Sequence, residues 1–128
     1  MNRSRLLDQA REVVPEVSPE DARSELDSGA VDVLLDVREA YEWRKGYIDG
    51  AIRIALDEVP DKADPDLQDH DPRLTGNRDA RIVLYCATGV RSLLGGLALH
   101  NLGYSNVASL KGGIEAWKTA GNPTERGR

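Results

Sequence analysis

The chain has 128 residues, of which 40% are hydrophobic and 30% charged, with a formal net charge of −5. That size suits one compact domain with one core, and no run approaches the roughly 20 apolar residues a bilayer crossing needs, so neither a disordered nor a membrane-spanning chain is expected. The negative charge argues against broad attraction to nucleic acid or anionic lipid, and the single cysteine, Cys86, excludes an internal disulfide.

The N-terminus meets Asp8 and Glu12 before any apolar stretch can form, so it does not read as a signal peptide. The expected compartment is then the reducing cytoplasm, where Cys86 is a free thiol: either a small buried hydrophobe or a reactive group. Residues 3–13 place Leu6, Leu7, Ala10 and Val13 at helical spacing ahead of Pro15, which predicts a short helix, a candidate docking or dimer element. Ser18-Pro19-Glu20-Asp21 is a helix start, with Ser18 as N-cap, Pro19 in the first turn and acidic side chains facing the positive end of the dipole. That helix stops at Gly29.

Residues 31–37 and 81–85 are short, apolar and rich in β-branched side chains, as befits strands buried on both faces of a parallel sheet. Residues 51–56 alternate more and predict a third strand, and residues 106–110 a fourth. The stretch 57–79 holds eight Asp or Glu residues and three prolines. Its spacing matches no calcium loop, and it reads as a solvated connection. A helix is predicted over 90–102, although Gly95 and Gly96 within it each cost about 0.8–1 kcal/mol relative to Ala; they are read as letting the helix approach the sheet. A last helix follows Gly112-Gly113 and carries Ile114, Ala116 and Trp117, the tryptophan as core rather than pocket lining. The polar tail after Gly121 is expected to be loose. Strands separated by helices imply an α/β layer fold.

Cys86 follows one of these buried strands and precedes a helix, which puts it at the carboxyl edge of the sheet, where ligand sites of open α/β folds gather. The chain must turn within Ala87-Thr88-Gly89-Val90, and Gly89 permits the left-handed conformation that aims successive N–H groups inward as a nest. A nest at a helix N-terminus favours negative charge, and Arg91 adds a full positive one. Both favour the thiolate, the nucleophilic form of cysteine. The spacing of Gly89 and Arg91 therefore points away from an inert buried thiol. His70, in the acidic stretch, and His100, about 15 Å along the helix from its start, are poorly placed as bases.

The run Cys86-Ala87-Thr88-Gly89-Val90-Arg91-Ser92 resembles the Cys-x-x-Gly-x-Arg-Ser active-site loop of single-domain rhodaneses. Leu35-Asp36-Val37-Arg38-Glu39, with Glu42-Trp43 and Gly46-Tyr47-Ile48-Asp49-Gly50-Ala51 after it, is similar to the family's Asp-Val-Arg-Glu…Glu-Tyr…Gly-His-Ile-Pro-Gly-Ala block, with Tyr47 in place of His and Asp49 in place of Pro. Leu110-Lys111-Gly112-Gly113-Ile114-Glu115-Ala116-Trp117 is similar to its closing Gly-Gly…Trp block. The resemblance implies a rhodanese-like domain over 16–122, with a central parallel sheet of about five strands flanked by helices on both faces, between a helical extension at 1–15 and a loose tail at 123–128.

The resemblance also implies a sulfurtransferase: Cys86 takes sulfane sulfur from a donor such as thiosulfate, holds it as a persulfide, and passes it to a thiol or cyanide, with no metal or organic cofactor. The substrate would rest on Ala87, Thr88, Gly89, Val90, Arg91 and Ser92. Asp36 and Arg38 either brace the loop or form an ordinary surface ion pair. Ala87 stands where many members carry a basic or hydrogen-bonding side chain, which lowers the positive charge beside the donor. Two other functions fit the same loop less fully: a carrier that hands persulfide only to a dedicated protein partner, and a structural domain without chemistry. Four residues separate Cys86 from Arg91, whereas cysteine-based phosphatases, including those on the same fold, have one more and a wider cradle.

Overall fold

A computed structural model describes residues 2–127. The chain runs α1 (Arg3–Val13), β1 (Glu16–Val17), α2 (Pro19–Ser28), β2 (Val33–Asp36), α3 (Ala40–Trp43), β3 (Ile52–Arg53), a 3-10 turn at Leu56–Glu58, α4 (Val59–Lys62), α5 (Pro72–Thr75), β4 (Ile82–Tyr85), α6 (Val90–Asn101), β5 (Val107–Leu110) and α7 (Gly113–Thr119). The five strands form one parallel sheet in the order β1-β5-β4-β2-β3. Alternation along β4 sends Ile82 and Leu84 to one core with Leu35, Val59, Leu74 and Leu99, and Val83 and Tyr85 to the other with Leu34, Ile114 and Trp117. Helices thus cover both faces, and β4, flanked on both sides, carries Cys86 at its carboxyl end.

The helix starts follow their sequence signals. Ser18 caps α2 by accepting from the Asp21 N–H at 3.1 Å, Pro19 lies in its first turn, and Gly29 ends it in the left-handed conformation. Several expectations need correction. Residues 51–56 give only the two-residue edge strand β3, because the chain turns inward at Leu56, whose N–H bonds the Val37 carbonyl at 3.1 Å. The fifth strand, β1, is two residues long, too short to show a period, and is fixed from outside by Ser109 N–H to Pro15 O at 2.9 Å and Lys111 N–H to Val17 O at 2.8 Å.

The apolar face of the N-terminal helix is covered from within the domain: its buried Ala10, with Leu6, Leu7 and the following Val14, packs on Leu93 and Leu97 of α6. Gly95 does meet the sheet, at Leu84, but Gly96 makes room for Val14 of this N-terminal segment instead. The acidic connection is more than a solvated loop, for it buries Val59, Ala63 and Leu74, and Tyr104 Oη donates to the Ala63 carbonyl at 2.7 Å. The tail is seated as far as Glu125, which exchanges two backbone hydrogen bonds with Tyr47 at 2.9 and 2.7 Å. Trp117 is 2% exposed and belongs to the core, its indole N–H donating to Pro123 O at 2.8 Å.

Candidate active site

The loop after β4 folds around its own sulfur. Cys86 is 1% exposed, and its Sγ receives the Gly89 N–H at 3.1 Å and the Ser92 N–H at 3.4 Å, with Ser92 Oγ at 3.5 Å. Gly89 holds φ at +102°, which a side chain rarely adopts, and a Cβ there would press on the backbone of Gly112. The other side of the loop explains why the amides face inward. The Cys86 and Ala87 carbonyls are taken by the first amides of α7, Ile114 N–H at 2.9 Å and Glu115 N–H at 3.1 Å. Gly113 makes this contact possible: at φ +63°, any Cβ it carried would collide with both carbonyls. With these carbonyls pinned outward, the Gly89 N–H that follows them turns to the sulfur, and the Ser92 N–H in the first turn of α6 joins it.

Arg91 enters from the first turn of α6, but its two terminal nitrogens are engaged end-on by Glu42 of α3, Nη1 to Oε1 at 2.7 Å and Nη2 to Oε2 at 2.8 Å. Those hydrogen bonds raise the Arg91 pKa further and lower that of Glu42 to about 2. Arg91 therefore brings charge to the corner of the loop, while its Nε–H and the second N–H of each terminal nitrogen are left free of Glu42. Thr88 and Val90 are exposed on the outer rim, Ala87 lines a cavity of about 320 Å³ shared with Tyr41, Lys45 and Lys118, and Ser92 lies beneath the sulfur at 0% exposure. Of the loop positions expected to hold substrate, Gly89 and Ser92 converge on Sγ.

Asp36 and Arg38 are neither a surface pair nor a direct brace of the loop. Both are buried, and Arg38 donates from N, Nε and Nη2 to the Asp36 carboxylate at 2.8–3.1 Å and from Nη2 to the Gly46 carbonyl at 2.7 Å. Burial opposes the charge on Arg38, and the Asp36 hydrogen bonds and charge more than offset it. Its guanidinium also stacks over the Tyr85 ring at 5.5 Å, the residue before Cys86. The pair thus fixes the turn at Gly46 and the floor beside the cysteine. His70 bonds Thr75 Oγ1 at 2.7 Å, and His100 is exposed at the far end of α6. Sequence reasoning gave no role to Glu42, which meets Arg91 from another element, nor to Ser109 of β5, a hydroxyl among apolar strand neighbours.

A thiol at the carboxyl end of a central parallel strand, with two backbone N–H groups at a helix start aimed at its sulfur, places the chain among α/β domains with a cysteine loop at the sheet edge. The chain belongs to the rhodanese-like domain family, whose model matches residues 18–120. The "Probable adenylyltransferase/sulfurtransferase MoeZ" of Mycobacterium tuberculosis is 38% identical over 101 residues, covering 79% of this chain and 24% of that protein. A Rhodopseudomonas palustris protein of unknown function, a possible tyrosine phosphatase, superposes with a TM-score of 0.89 at 31% identity over 98% of this chain and 95% of its own. The human single-domain sulfurtransferase TSTD1 does so at 0.73 and 26% identity, over 83% and 96%. The chain spans only 24% to 31% of the length of the curated relatives it matches, which also include tRNA uridine(34) hydroxylases.

Proposed function

We propose that the protein is a thiosulfate-type sulfurtransferase working through a persulfide on Cys86, in a reducing, cytoplasmic setting that keeps the thiol free. The observation that carries this reading is the convergence of the Gly89 and Ser92 amides on Sγ at 3.1 and 3.4 Å. The Cys86 thiolate attacks the outer sulfur of thiosulfate; a new S–S bond forms, the old one breaks, and sulfite leaves with the electron pair. The loop amides and Arg91 stabilise the anions on either side of that step. An acceptor thiolate, or cyanide, then attacks the outer sulfur of the persulfide and restores the Cys86 thiolate. Asp36 and Arg38 support the corner, and no cofactor takes part.

A second reading, delivery of the sulfur to a dedicated protein partner, is favoured by the apolar rim: Tyr41 is 59% exposed and Val90 36%. Turnover with cyanide as sole acceptor would count against it. Phosphate transfer fits less well, because the loop has four residues between Cys86 and Arg91 and Glu42 already takes one N–H from each terminal nitrogen of that arginine. Intact-mass measurement after incubation with thiosulfate tests the leading reading. The expected result is a gain of one sulfur atom that cyanide removes and Cys86→Ser abolishes; no adduct, or one that persists in Cys86→Ser, overturns it.

A further inference from the structure

Ser109 sits in β5 between Ala108 and Leu110, with Val107 beyond, and all of these are buried. A hydroxyl in such a strand costs free energy unless it is hydrogen-bonded. Ser109 is 0% exposed, and its Oγ lies 2.7 Å from Ser92 Oγ, which is itself 0% exposed and 3.5 Å from Cys86 Sγ. The two hydroxyls and the sulfur form a closed line from the middle of the sheet to the reactive atom, shielded from solvent along its length.

We propose that Ser109 is a positioning residue for Cys86 that acts through Ser92. When the sulfur is an anion, the Ser109 O–H donates to Ser92 Oγ and the Ser92 O–H donates to Sγ. When the sulfur is a thiol, its S–H donates to Ser92 Oγ and the Ser92 O–H turns to Ser109. The switch needs only the rotation of two O–H bonds. A hydroxyl that accepts a hydrogen bond donates a stronger one, so Ser109 strengthens the contact that Ser92 makes to the anion. It also holds the Ser92 side chain under the sulfur instead of leaving it to rotate. The amides of the loop hold the sulfur from above and this pair from below.

The inference rests on Cys86 as the nucleophile of the proposed function, but not on sulfur as its cargo, so it is tested without any sulfur donor. Cys86 is the single cysteine of the chain, and its thiolate absorbance can be titrated against pH with Cys86→Ser as the blank. The charged groups around this corner are Arg91 with Glu42, the Asp36–Arg38 pair, Lys45, and Glu115 and Lys118 of α7, and the variants leave all of them in place.

Ser92→Ala is expected to raise the midpoint by about one unit, the low end for a lost hydrogen bond to a charge. Ser109→Ala should raise it by about 0.3 unit, the cooperative share of that bond. In the Ser92→Ala background, Ser109→Ala should add nothing, and Ser109→Thr, which keeps the hydroxyl, should restore the original midpoint. An unchanged midpoint in Ser109→Ala, or a shift that persists in the Ser92→Ala background, overturns the proposal. The double variant decides the matter even if the extra methyl of threonine prevents folding. A failed thiosulfate adduct with the expected titration shifts would sink the sulfur chemistry and leave this inference standing.

Discussion

Glu42 serves two neighbours with one carboxylate: Oε1 accepts the Glu39 N–H at 3.1 Å, closing a capping box on α3, and both oxygens grip Arg91. Its pKa, near 2 in the folded protein against an ordinary 4.5, carries a sign. The contribution to stability is complete above pH 4.5 and is lost as pH falls from there toward 2. Glu42→Gln keeps the shape but not the charge. It should cost about 1 kcal/mol at pH 7, discounted for solvent access to the pair, and the gap to the parent should close between pH 4.5 and 2 in urea titrations. The contact of the Gly89 N–H with Cys86 Sγ was legible in the sequence because the two residues lie within one turn of chain. Glu42 was not assigned a role because its partner is 49 residues away, and nothing local marks an acid that will meet an arginine across the sheet edge.

At the level of elements, α6 is the hub: α1 packs on its outer side and β4 and β5 on its inner side, and its adjacent glycines face these two neighbours. A Cβ on Gly96 would sit 2.8 and 3.1 Å from the two methyls of Val14, but 3.5 Å from its Cβ. Gly96→Ala should therefore lose about 1–2 kcal/mol by overpacking, net of the helix propensity it gains. In a Val14→Ala background the same change should become neutral or stabilising, and a thermal-unfolding double-mutant cycle reads the difference. The periodicity of residues 3–13 identified the helix, and the glycine pair announced a close approach. Which element would approach was not legible, since apolar spacing says that a face is covered and not by what. The short β1 escaped for a related reason: its identity lies in the carbonyls it offers to β5.

For the molecule as a whole, the sheet order places the first strand beside the last, so the two ends of the chain close the domain. The tail completes the other side, bridging Tyr47 and capping the Trp117 indole. Its polar composition suggested a loose end, and what seats it is backbone pairing, to which composition is blind. Deleting residues 123–128 removes three of these hydrogen bonds at roughly 1 kcal/mol each. Stability should fall by about 2–3 kcal/mol, and Trp117 emission should shift to the red as water reaches the ring. The amides of α7 that pin the Cys86 and Ala87 carbonyls have a consequence in time as well as space. A ribosome delivers Cys86 well before Ile114 and Glu115, so the Cys86 and Ala87 carbonyls lack these partners until the last helix has emerged and docked. The corner that carries the sulfur is thus among the last parts of the domain to be completed, although its own residues are made long before.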